Sequence, residues 1–106
     1  MPVHNIQSDE AFQKTISENE TVIVDFFATQ DERCKLLAPV FVEQANRGDH
    51  GGVLFAKVDV DELAGLAARL GVTRTPTFLA YKGGEKVGES VEPGTQALLQ
   101  FIGGVV

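Results

Sequence analysis

The chain has no tryptophan and only one cysteine, Cys34. A lone thiol excludes any intramolecular disulfide, whether structural or catalytic. The histidines His4 and His50 lie far apart without ligand spacing, and one cysteine cannot make up a zinc-binding set. Neither a metal nor a cofactor is expected. No apolar run approaches the roughly 20 residues that span a bilayer, which argues against a membrane partner. The opening segment, Met1-Pro2-Val3-His4-Asn5, lacks the basic and apolar blocks of a secretory signal, so the cytoplasm is the expected location. Positive charge is scarce too: 9 Lys and Arg stand against 15 Asp and Glu, a net charge of -6. Nucleic-acid binding rests on clustered Lys and Arg facing phosphates, and this balance argues against it.

What is present is the composition of an ordinary globule, 43% apolar and 23% charged over 106 residues. A chain of this size buries roughly two-thirds of its unfolded surface, enough for one domain over 1–106 with one core. Ser8, followed by Asp9 and Glu10, reads as a helix start, and Phe12 and Ile16 share a face, predicting a helix to about Ser17. Val22 to Ala28 is apolar apart from Asp25, a pattern that fits a strand covered on both faces. Leu36, Leu37, Val40 and Phe41 form a helical stripe toward Gly48, with Pro39 inside it. Val53 to Val60 predicts another strand. Leu63, Leu66, Ala67 and Leu70 then predict a helix closed by Gly71. Thr77 to Tyr81 and Glu85 to Val87 flank Gly83-Gly84 as a hairpin, and Leu98, Leu99 and Ile102 predict a last helix ending at Gly103-Gly104. With a weak strand at Val3 to Ile6, this alternation predicts an α/β fold: a mostly parallel sheet, helices on both faces and an antiparallel hairpin.

Val24-Asp25-Phe26-Phe27-Ala28 followed by Cys34-Lys35-Leu36-Leu37-Ala38-Pro39 resembles the active-site region of the thioredoxin family. Ala56 to Asp61, Thr75-Pro76-Thr77 and Lys82-Gly83-Gly84-Glu85 stand where that family places similar segments. The resemblance covers nearly the whole chain. It implies the thioredoxin fold, a central mixed sheet of four to five strands flanked by helices on both faces.

The departures fall at the site. Where the family has tryptophan, cysteine, glycine, proline and cysteine before the lysine, this chain has Gln30, Asp31, Glu32, Arg33 and Cys34. The resolving cysteine remains and the nucleophilic one is Asp31. Disulfide exchange begins with an exposed thiolate at a helix N-terminus, and a carboxylate cannot form the mixed disulfide. Asp31 suits a helix N-cap, and it could also be a polar partner for a ligand or for the Cys34 thiol. Its negative charge disfavours the Cys34 thiolate and Arg33 favours it. Cys34 is therefore either an inert buried thiol or a reactive one.

The resemblance further implies that Asp25 is a buried carboxylate under the site with Lys57 as its partner, a pair retained for stability or for proton transfer. Pro76 matches the family's cis-proline. The family's substrate groove would here be lined by Gln30, Glu32, Arg33, Val60, Thr75, Pro76, Val91 and Glu92, with Glu92 where glycine is usual. These are either solvated surface or a more polar groove with changed partners. Two functions follow. One is a redox-inactive or redox-impaired module that binds a protein partner or peptide segment. The other is a monothiol oxidoreductase using Cys34 in mixed disulfides with glutathione or a protein.

Overall fold

A computed structural model describes residues 3–47 and 51–106. Met1, Pro2, Gly48 and His50, which entered the sequence reading, lie outside the described residues. The elements run β1 (His4–Ile6), α1 (Asp9–Glu18), β2 (Thr21–Phe27), α2 (Glu32–Asn46), β3 (Val53–Asp59), α3 (Ala64–Arg69), β4 (Thr77–Lys82), β5 (Glu85–Val91) and α4 (Thr95–Val105). The strands form one sheet in the order β1-β3-β2-β4-β5. β1 and β2 flank β3 in parallel, β4 is antiparallel to β2, and β5 is antiparallel to β4.

Central β2 explains its own apolar run. Thr21 to Phe26 are all buried because helices cover both faces of the sheet. Side-chain alternation divides the strand between two cores. Val22, Val24 and Phe26 pack with Phe12, Ile16 and Leu66 of α1 and α3. Ile23 packs with Leu37 and Phe41 of α2 and Leu98 and Ile102 of α4. Asp25 has the same parity as Ile23, so its carboxylate is carried on the α2 side.

The helix ends have local causes. Ser8 caps α1 by accepting the Ala11 amide at 3.0 Å. α3 runs one residue short at each end of the spacing Leu63 to Leu70, and Asp59 Oδ1 accepts the Asp61 amide at 2.9 Å in the turn before it. Its far end closes as expected: Gly71 at φ 76° lets its own amide reach Ala68 O and the Val72 amide reach Ala67 O.

Two expected boundaries shift. β5 continues past Val87 to Val91 although this stretch is polar, since an edge strand need not be apolar on its open side. α4 does not stop at Gly103-Gly104. Val105 lies one turn beyond Ile102 and is 8% exposed within the α4 core, so packing outweighs the roughly 1 kcal/mol that each helical glycine costs.

Leu98 is fully buried between α4 and the sheet. Leu98→Ala is expected to lower the unfolding free energy by about 2–5 kcal/mol in denaturant titration. A loss below about 1 kcal/mol would mean that this helix contributes little to the α2-side core.

Candidate functional site

The α2-side face of β2 and the head of α2 meet at Asp25 and Cys34. Helical spacing puts Cys34, Leu37, Phe41 and Ala45 on the buried face of α2. Cys34 is 5% exposed, and its sulfur accepts the Ala28 amide at 3.4 Å. A cavity of about 230 Å³ opens beside it, lined by Asp25, Phe27, Ala28, Cys34, Ala38 and Lys57 among others. Asp25 and Lys57 face one another across the β2–β3 register, and the Lys57 ammonium stands 5.7 Å over the Phe27 ring.

Asp25 is 6% exposed and its Oδ1 is buried without a hydrogen-bond partner. Burial pushes its carboxyl from 3.8 up to about 7, against the downward pull of the Lys57 charge. The Cys34 thiol is also raised. Burial is the main cause, and the charges of Asp31 and Asp25 add to it. The Ala28 amide and the Thr75 hydroxyl pull the other way. The competition posed by the sequence between Asp31 and Arg33 over this thiol is thus decided geometrically: Arg33 turns aside to bind Glu92, its Nη1 lying 2.9 Å from Oε2.

Asp31 is the N-cap of α2. Its Oδ1 accepts the Arg33 amide at 2.8 Å, and its Oδ2 accepts the Thr75 hydroxyl at 2.6 Å. These two bonds, the Thr75 bond first, hold its carboxyl below the usual aspartate value. The Thr75–Pro76 peptide bond is cis, and the Pro76 carbonyl accepts the Glu92 amide at 2.8 Å. Glu92 adopts φ 48°, left-handed backbone that favours glycine.

The other expected groove residues are more scattered. Gln30 lies exposed in the turn before Asp31, and Glu32 is exposed and pairs with Lys35 at 3.1 Å. Val91 is 45% exposed at the end of β5. Val60 and Thr75 instead share a hollow of about 500 Å³ with Ala28, Ala64, Ala67 and Arg74 among others. The sequence reading missed the Asp31–Thr75 bond and the Arg33–Glu92 pair. They join residues 44 and 59 positions apart, and only the fold brings them together.

This arrangement defines a thioredoxin-fold protein whose helix-head site carries a carboxylate in front of a recessed thiol. The comparisons agree on the class. The thioredoxin family model matches residues 3–103. Thioredoxin-1 of Schizosaccharomyces pombe is 39% identical over 89 residues, covering 84% of each chain. Thioredoxin 1 of Plasmodium falciparum is 39% identical over 97 residues, covering 92% of this chain and 91% of that one. A solved Plasmodium falciparum thioredoxin superposes with a TM-score of 0.92 at 36% identity, covering 98% of this chain and 100% of the other. The chain belongs to the thioredoxin family, with Cys34 as its one cysteine.

The Asp25 shift gives the stability a definite pH dependence. In the unfolded chain this carboxyl ionises near its reference value of about 4, whereas the folded protein keeps the proton until about pH 7. Between these values the folded state binds more protons, so the group's contribution falls as pH rises and the penalty is complete above the folded pKa. Asp25→Ala is therefore expected to leave stability little changed at pH 4 and to gain on the parent as pH rises. The gain should reach on the order of 2–4 kcal/mol at pH 8 in denaturant titrations. A difference constant across that range would contradict a buried, protonated Asp25.

Proposed function

We propose that this chain is a redox-inactive or redox-impaired member of its family, a module that binds a protein partner or peptide segment without dithiol chemistry. The domain would span 1–106, work in the cytoplasm and use no cofactor. One observation carries the reading: the position of the family's nucleophilic cysteine holds Asp31, whose two carboxylate oxygens are both engaged, by the Arg33 amide and the Thr75 hydroxyl. The remaining thiol is buried and its ionisation is disfavoured. A buried, protonated thiol is a poor nucleophile, because the thiolate is the attacking species. Binding would fall to the surface around Gln30, Arg33, Thr75, Pro76, Val91 and Glu92.

The unpartnered Asp25 carboxyl beside the same cavity as Cys34 favours a second reading. A carboxyl with a pKa of about 7 could take the thiol proton at neutral pH and activate Cys34 for mixed disulfides with glutathione or a protein. Asp25 and Cys34 would then form a monothiol site with Lys57 in support.

Two measurements separate the readings. In an insulin-reduction assay with thioredoxin reductase and NADPH, the protein is expected to show no turnover above background, whereas Asp31→Cys restores a dithiol and measurable turnover. Rates comparable to a dithiol thioredoxin in the unaltered protein would overturn the leading reading. Cys34 is expected to react slowly with a thiol reagent in the native state and rapidly after denaturation. Fast native labelling at neutral pH, lost in Asp25→Ala, would establish the monothiol reading instead.

A further inference from the structure

The contacts at the helix head close on themselves. Asp31 holds the Arg33 amide through one carboxylate oxygen and the Thr75 hydroxyl through the other. Thr75 leads covalently into Pro76, whose carbonyl accepts the Glu92 amide at 2.8 Å. Glu92 returns to Arg33 through the ion pair at 2.9 Å. The ring ties the first turn of α2 to the Pro76 segment and to the end of β5, the three pieces of chain that border the proposed binding surface.

The links of this ring are unequal. One is covalent, one joins two backbone groups, and two are hydrogen bonds to the N-cap carboxylate. The Arg33–Glu92 link alone joins two ionised side chains through freely rotating stems. Its partners differ as well: the Arg33 side chain is 65% exposed and that of Glu92 27% exposed. Glu92 is further fixed by its amide bond to Pro76 and its left-handed backbone, at φ 48°. Arg33, the more exposed partner, can therefore swing into water, while the less exposed Glu92 carboxylate remains on a backbone held to Pro76.

We propose that Arg33 is an internal stand-in for a partner's cation, and that the partner is an extended segment presenting a lysine or arginine side chain that replaces Arg33 on Glu92. The proposal rests on the binding reading above and names the chemistry of the partner. The exchange conserves the ion pair, since the incoming cation takes over the Glu92 carboxylate and the guanidinium of Arg33 is released to solvent. An incoming anion would have to displace the better-anchored member of the pair. The net charge of -6 acts in the same direction at longer range by attracting a basic partner. On the binding reading the thiol does not capture the partner covalently, and the exchange of cations supplies selectivity without it.

The test uses two blocked pentapeptides, acetyl-Gly-Val-Arg-Val-Gly-amide and its glutamate counterpart. They are titrated into the unaltered protein, Arg33→Gln and Glu92→Gln while the amide signals of Gln30, Thr75 and Val91 are followed by NMR. The arginine peptide is expected to bind the unaltered protein more tightly than the glutamate peptide. Arg33→Gln should tighten the arginine peptide about two- to five-fold, the range spanned by loss of one competing surface ion pair. Glu92→Gln should abolish the preference for arginine. If both peptides shift these amides with equal affinity, or if Arg33→Gln does not tighten the arginine peptide, the cation-exchange proposal falls and the binding surface stands. If neither peptide shifts them in any form of the protein, the binding reading falls with it.

Discussion

The site depends on how one carboxylate is held at the head of α2. By the resemblance read in the sequence, Asp31 stands where the family's chemistry has a thiolate, and either group is an anion at a helix N-terminus. The helix dipole and the free amides of the first turn favour either one. The electrostatic environment that would lower a cysteine pKa therefore accepts aspartate without rearrangement. A planar carboxylate adds a second acceptor atom. That atom is what reaches the Thr75 hydroxyl at 2.6 Å and binds the helix head to the segment before the cis-proline.

The same anion bears on the thiol behind it. Cys34 is buried, and two carboxylates, Asp31 and Asp25, raise its pKa further. A dithiol site avoids this conflict because its front anion is the attacking thiolate, which loses its charge on entering the mixed disulfide before the second thiol is needed. Here the front anion is permanent. Asp25 is in turn held in its neutral form toward neutral pH by its own burial, with Lys57 only partly offsetting that. The result is a recessed pair of acids, thiol and carboxyl, both biased toward keeping their protons. The insulating effect of burial governs both groups more than any single charge does.

Much of this was legible in the sequence because it is local or periodic. The apolar run Val22 to Ala28, broken only by Asp25, announced a strand covered on both faces, the Gly83-Gly84 pair announced the hairpin, and the family resemblance implied a mixed sheet of four to five strands. The errors lie where tertiary packing or strand pairing overrides a local rule. Val105 holds α4 past two glycines, and β5 runs on past Val87 as a polar edge strand. At the site, the sequence named Asp25, Asp31, Cys34 and Lys57 as candidates, but how side chains there couple could not be read from it. Asp31–Thr75 and Arg33–Glu92 are set by the approach of the Pro76 and Glu92 segments to α2, which no spacing in the chain encodes.

Glu92 shows how these departures are connected. A side chain in left-handed backbone costs roughly 1–2 kcal/mol relative to glycine, and an exposed ion pair typically returns about 0.2–1 kcal/mol. By that comparison the Arg33–Glu92 pair does not repay the strain as a stability device. Glu92 is still tied in place by its amide bond to the Pro76 carbonyl, a bond glycine would make equally well. The ion pair alone therefore does not account for a glutamate at this position, and its place beside Arg33 calls for another explanation. Asp31, Arg33 and Glu92, the positions read in the sequence as departures from the family resemblance, all lie in one closed ring around the cis-proline. Stability alone gives these residues no reason to meet on one surface, whereas the binding surface proposed above, built around ion pairing, requires that they do.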